Sequence, residues 1–295
     1  MRTARSQLRT TRIVVVLVVV AAFGAAAGAV FASELPNQVS TNWAGYAAIT
    51  SGSTRDFAKR FTSVSGSWVQ PAATCVPGEP TFSAFWVGLG GYKQTSKALE
   101  QIGSEADCSA SGQVSYYAWY EFVPRGPETI HRIAVSPGDT IAATVKVKRD
   151  HATVSLADLT TGKIFTYERP MRSPRPDVSA ADWIAEAPSN CDRNTCTPLT
   201  LTNFGSLTFT SATATSVGLD GRHTGVIDDA AWIYGAIELQ STNSRSRFNQ
   251  NEPSQATTGT LAATGDSFSV TYGGGAAGAT GPSGPSGSSG ATGAT

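Results

Sequence analysis

Three features of the 295-residue sequence predict an all-β fold. Only 15% of its residues are charged, while Gly, Ser, Thr, Ala and Val abound, a composition that suits short strands joined by turns better than amphipathic helices. Runs in which apolar or β-branched residues alternate with polar ones recur at 61–69, 82–88, 114–123, 141–148, 152–157, 163–168, 200–210, 232–239 and 267–272. Between such runs, Ser136-Pro-Gly-Asp139 and Asp158-Leu-Thr-Thr-Gly162 carry the residues that tight turns demand. So many strands with so few helix signatures pack most naturally as a single-domain, two-sheet antiparallel sandwich or as a barrel.

In chain order, residues 1–12 are basic and 13–31 are apolar, with small residues at Val30 and Ala32. This is the layout of a secretory signal cleaved after Ala32, although the apolar run is also long enough for an uncleaved membrane anchor. Either way, residues 33–295 are expected outside the cell. Removing Arg2, Arg5, Arg9 and Arg12 leaves 18 basic against 22 acidic residues, a net charge of −4. The remaining Lys and Arg are scattered along the chain, so no basic surface and no nucleic-acid partner are expected.

Cys75, Cys108, Cys191 and Cys196 fit an oxidising compartment, where an even count points to disulfides. Four residues separate Cys191 from Cys196 and no second close pair accompanies them, which argues for a loop staple rather than a zinc site. Cys75 then pairs with Cys108 by elimination. The folded body is expected over 33–272. From 273 onward glycine recurs with a collagen-like period, but two prolines in six triplets are too few for a triple helix, so 273–295 reads as a flexible tail. A monomer is expected.

Aromatic residues concentrate in Phe85-Trp86 and in the run "SYYAWYEF". Alternation sends Tyr116, Ala118 and Tyr120 to one face of that strand and Tyr117, Trp119 and Glu121 to the other. Most of these rings are expected in the core.

His131, His151 and His223 are far apart, and neither a GxSxG elbow, an HExxH helix nor an Asp-Thr-Gly signature is present. The acids available for paired-carboxylate chemistry are Glu100, Glu105, Asp107, Glu121, Asp182 and Glu186, and spacing does not say which of them meet. Glu121, between three rings and Phe122, is a candidate for a raised pKa.

Eight segments, in order, carry a more specific signal: "TNWAGY" at 41–46, "AFWVGLGG" at 84–91, "ALEQIG" at 98–103, "YYAWYEFVP" at 116–124, "VSPGDTI" at 135–141, "LTTGK" at 159–163, "ADWIAEAP" at 181–188 and "FGSLTFTSATAT" at 204–215. In these the chain resembles the glutamic peptidases, the eqolisin family. The resemblance implies a concanavalin-like jelly-roll sandwich with a Gln and a Glu on the concave face of one sheet, and it places these at Gln101 and Glu186. Glu186 would exchange protons with the attacking water and the leaving amine, and Gln101 would stabilise the oxyanion with an N–H that survives acid. No metal or cofactor is required. Trp43, Trp86, Glu105, Trp119 and Glu121 follow as substrate-binding or supporting residues, and peptides or proteins as substrates.

Asp182 is then a neighbour of the motif, and Glu100, on the opposite strand face from Gln101, is expected to be replaceable. The family pattern has an Asp where Gly90-Gly91 stand, and the spacing to Gln101 is one residue longer. Two rival functions remain: a non-catalytic lectin-like sandwich that binds carbohydrate or peptide through an aromatic groove at Trp119 or Trp86, and a glycosidase that uses Glu121 with a second acid.

Overall fold

The computed structural model describes residues 33–50, 59–191, 196–240 and 254–273. The expected signal or anchor at 1–32 lies outside these residues, as does the tail beyond residue 273. No helix occurs among the described residues, so none long and apolar enough to cross a membrane is present there.

The strands, in chain order, are β1 (Ser33–Glu34), β2 (Gln38–Ser40), β3 (Trp43–Ile49), β4 (Arg60–Val69), β5 (Ala84–Gly90), β6 (Leu99–Cys108) and β7 (Val114–Phe122). They continue with β8 (Glu128–Ala134), β9 (Thr140–Lys148), β10 (His151–Asp158), β11 (Lys163–Pro170), β12 (Ala180–Glu186), β13 (Ser189–Cys191) and β14 (Cys196–Pro198). The last five are β15 (Ser206–Gly218), β16 (Gly221–Val226), β17 (Ile233–Gln240), β18 (Ser254–Thr258) and β19 (Phe268–Tyr272).

These strands form the two layers of a sandwich. The first runs β17-β3-β12-β5-β6-β7-β8 through antiparallel ladders, with β1 and β2 added in parallel along β17. The second runs β15-β4-β9-β10-β11, with β19 and β16 side by side on the far edge of β15. β18 pairs with both β17 and β19, so hydrogen bonding passes from one layer into the other.

Between the layers, Phe85, Val87, Leu89, Ile102 and Trp183 of the first sheet meet Trp68, Ile141, Val145, Leu156 and Phe209 of the second, all 0–1% exposed. Two indoles tie the layers by polar contacts as well: Trp68 Nε1 donates to Ser104 Oγ at 2.9 Å, and Trp183 Nε1 to Ser65 O at 2.8 Å. Cys75 is bonded to Cys108, and Cys191 to Cys196 across the β13–β14 hairpin.

Most alternating runs form strands near their expected bounds. The run at 200–210 is an exception, because its strand is β15, beginning at Ser206. Asn203 Oδ1 caps the Gly205 amide at 3.1 Å in an irregular approach, and alternation is later interrupted where the β15–β4 register shifts between Thr210 and Thr213, beside Ser211 at φ 52°. Strands β3, β6 and β12 carry no alternation to find. Their residues are buried on both faces, like the strands of a sheet covered on both sides.

Glu100 shows the consequence. It lies on the inner face in register with Leu89 and Phe122, is 0% exposed, and neither carboxylate oxygen has a hydrogen-bond partner among the described residues. Burial first, and then the charge of Asp177, push its pKa up to about 9. Glu105 at about 8 and Asp107 at about 6 are raised by burial too.

A carboxylate whose folded-state pKa is raised contributes stability that is present below its unfolded value and lost as pH climbs through the folded value. Thermal unfolding is therefore expected to be highest in acid and to fall between the ordinary glutamate value of 4.5 and about 9. Glu100→Leu should raise stability near pH 8 by about 1–3 kcal/mol and flatten this dependence in denaturant titrations.

Candidate active site

Successive cross-strand rows on the outer face of the first sheet place the candidate residues. One row contains Trp43, Glu186, Ala84, Glu105 and Tyr117 as register partners on β3, β12, β5, β6 and β7. The next on this face is Gly45, Ile184, Trp86, Gly103 and Trp119, followed by Ala47, Asp182, Gly88, Gln101 and Glu121. Gly103 allows the middle row to close, since a Cβ there would lie 2.0 Å from Phe85 O and 2.7 Å from the Trp86 Cβ.

A cleft of about 630 Å³ opens over these rows, and Trp43, Gln101, Glu105, Trp119, Glu121 and Glu186 all line it. The Pro124–Pro127 turn bounds it, together with Pro188, Ser189 and the disulfide-bonded hairpin of Cys191 and Cys196. Trp86, expected in the cleft wall, is instead fully buried beneath it: its ring packs edge-on against Trp43 at 5.0 Å, and its Nε1 donates to Glu186 Oε2 at 2.7 Å. Asn42 Nδ2 donates to the other oxygen of Glu186 at 2.8 Å. Charge and spacing did not single out Asn42, although it stands inside the quoted "TNWAGY" segment.

Two opposing influences act on Glu186. Burial, the larger, raises its pKa and the nearby charge of Glu121 adds to the rise, while hydrogen bonds from Trp86, Trp43 and Asn42 oppose it; the result is about 7. Gln101 is 5% exposed; its Nε2 donates to Glu121 Oε2 at 2.6 Å, and its carbonyl oxygen has no partner among the described residues. Glu121 is raised by burial against that single bond. Trp119 Nε1 is likewise an unpartnered buried donor. The cleft thus holds three carboxyls whose pKa values burial raises, an orphan acceptor and an orphan donor.

Asp182 is 0% exposed on this face, with its pKa raised well above the usual range by burial and Asp177, and it does not line the cleft. The glycines at 90 and 91 now have a physical explanation. Both have positive φ, 87° and 83°, and a Cβ on Gly90 would lie 2.6 Å from the Asp177 Cβ. Asp177 fills the space of a side chain at position 90, with Oδ2 accepting from Ser96 Oγ at 2.5 Å and Oδ1 from Ser179 N at 3.0 Å.

A profile described as the peptidase A4 family matches residues 41–271. The chain belongs to that family. The resemblance to glutamic peptidases is thereby borne out. Aspergillopepsin-2 of Aspergillus niger is 29% identical to this peptidase A4 member over 202 residues, a match that spans 61% of this chain and 66%, just under two thirds, of that protein. Among solved structures, scytalido-glutamic peptidase with a transition state analog inhibitor superposes with a TM-score of 0.58 at 22% identity, covering 79% of this chain and 98% of that one. SCP-B, a member of the eqolisin family in complex with a tripeptide, gives 0.54 at 23% identity, with coverage of 79% and 98%. These two likenesses establish the shared sandwich fold.

The fold corrects one expectation about charge. Lys93, Lys97, Arg125, Arg169, Arg172 and Arg175, scattered in sequence, come together at one end of the cleft. This end carries the β5–β6, β7–β8 and β11–β12 connections, because Gly90 pairs with Leu99, Glu100 with Phe122, and Ala181 with Leu89.

In this peptidase A4 member the geometry at Gly90 predicts that Gly90→Asp lowers unfolding free energy by about 2 kcal/mol or more, through left-handed strain and the clash with Asp177. Chemical denaturation checks it, and an unchanged midpoint would refute the assignment of that space to Asp177.

Proposed function

We propose that the chain is a secreted, acid-acting endopeptidase that hydrolyses peptide bonds with Gln101 and Glu186 as its dyad. One observation carries this reading: Glu186, gripped by Asn42 and Trp86, shares a cleft with an amide whose carbonyl is unpartnered. Membership of the peptidase A4 family supports it, and the two disulfides are consistent with export.

The raised pKa of Glu186 refines the chemistry expected from the sequence. A free glutamate would enter the reaction as an anion at pH 4 to 5, whereas Glu186 at about 7 enters as the neutral acid. A neutral carboxyl serves both proton transfers. Its carbonyl oxygen accepts a proton from the attacking water while its hydroxyl gives one to the scissile nitrogen; the oxyanion then closes to a carboxyl C=O as the C–N bond breaks and its electron pair leaves on the nitrogen of a neutral amine. Gln101, oriented by Glu121, offers Oε1 to position the water and its second N–H to the developing oxyanion. No protein group needs to hold a negative charge during the cycle.

Trp86 is 0% exposed under Glu186 and cannot stack on a sugar ring, which leaves the lectin-like alternative with Trp119 alone of the two rings named for it.

Assayed on a quenched peptide at pH 3 to 5, Glu186→Gln should lose about 10²–10⁴ in kcat and Gln101→Ala about 10²–10³. Undiminished activity in either would remove that residue from the mechanism. Activity of the unaltered chain should disappear as pH rises through about 7. Trp86→Phe removes a donor that favours the anion, so it should shift this loss to higher pH; a shift to lower pH would contradict the assigned cause.

A further inference from the structure

The search turned most usefully on charge. After residue 32 the chain carries a net negative charge, yet six of its basic side chains gather at the end of the cleft where strands β5, β7 and β11 end and β6, β8 and β12 begin. Arg125, on the β7–β8 turn, lines the cleft itself and also a pocket behind that turn with Arg169 and Arg172. Arg175 lines a neighbouring pocket of about 350 Å³ with Lys93 and Lys97 of the β5–β6 turn. Five of the six are exposed and Arg169 is half-buried.

None of the six is ion-paired with a carboxylate among the described residues. The nearby acids only partly offset this charge: Asp177, in the pocket of Lys93, Lys97 and Arg175, accepts from Ser96 and Ser179 and makes no ion pair with these cations, Glu128 accepts from the Tyr120 hydroxyl, and Asp150, which feels the Arg172 charge, contacts His151. Inside the cleft, burial raises the pKa of Glu121 and pushes Glu105 up to about 8 and Glu186 up to about 7, so the last two are uncharged in acid. Guanidinium and ammonium groups keep their charge throughout.

We infer that this cationic rim docks acidic segments of the substrate chain, binding Asp and Glu side chains that flank the cleaved bond on one side. The inference rests on the peptidase reading for the word substrate, but on charge and continuity for the docking itself. Arg125 belongs to both cleft and rim, so a peptide leaving the cleft at this end meets guanidinium groups that match carboxylates in two-pronged geometry. Free Asp and Glu titrate at about 3.9 and 4.3, so at pH near 5 the partner is ionised while Glu105 and Glu186 are still neutral.

The test measures binding separately from cleavage. Three labelled peptides with one apolar centre carry a run of glutamates on its N-terminal side, the same run on its C-terminal side, or glutamines in both places. Each is titrated by fluorescence anisotropy onto the Glu186→Gln chain, or onto Gln101→Ala should the first variant fold poorly. One acidic peptide, and not the other, should bind about five- to tenfold tighter than the glutamine peptide at low salt and pH near 5. The gain should vanish near pH 3, where the peptide is protonated, and shrink several-fold at about 0.5 M salt.

Adding Arg172→Glu and Arg175→Glu should turn the preference toward a lysine peptide. Equal binding of all three peptides, or tighter binding by anionic vesicles with no response to the acidic peptides, overturns the inference. If the unaltered chain cleaves none of these peptides but keeps the acidic preference, the peptidase reading fails and the docking rim stands.

Discussion

Both faces of β5, β6 and β12 are covered, one by the second sheet and the other by the apolar cluster of Trp86, Leu99, Trp119 and Ile184 with Trp43 and Tyr92 packed on it. A polar group on these strands is therefore largely taken out of water whichever way it points, with Glu105 and Glu186 keeping partial exposure at the cleft. Glu100 is buried on the inner face, and Gln101, Glu105, Asp182 and Glu186 lie on the outer one. Removing an ionised carboxylate from water is so costly that the group takes up a proton instead. The acids of this sheet are neutral acids over a wide pH range because the sheet is covered, and the acid optimum proposed for the chain is the same fact viewed from the site.

That constraint also makes an amide a sensible partner for Glu186. A further carboxylate at position 101 would have to be neutral as well, or would repel Glu105, Glu121 and Glu186 in a poorly screened cleft. An amide supplies a donor and an acceptor at every pH without adding charge. Glu121 fixes which end of the amide is the donor, since its Oε2 takes one N–H of Gln101. The arrangement places two buried, unpartnered polar atoms, the Gln101 carbonyl and the Trp119 indole N–H, among three acids whose pKa values burial raises.

How much of this the sequence disclosed depended on which faces water reaches. Strands β9 and β10 alternate because one face is polar, and on β7 the sidedness of Tyr117, Trp119 and Glu121 against Ala118 and Tyr120 could be read from "SYYAWYEF" alone. Strands β3, β6 and β12, which hold most of the site, lack that period because neither face is wet. Gln101 had no titration signature and stood beside a more conspicuous Glu100, so only the ordered motifs pointed to it. The pairing of Asp177 with the empty space at Gly90 required a contact between residues far apart in sequence.

The cationic rim was illegible for a related reason. Five of its side chains come from three connections and the sixth, Arg169, from the end of β11, and no single connection carries a basic run. Alternation specifies which face of a strand a residue occupies but says nothing of which connections share an end of a sheet; that follows from strand order, here the adjacency of β12, β5, β6 and β7. Once the order is known, the electrostatics are ordered as well: neutral acids along the floor, fixed cations at one mouth. A chain passing through such a cleft would meet a field that changes along its length, so the proposed polarity of substrate binding would follow from the same topology that places Gln101 and Glu186.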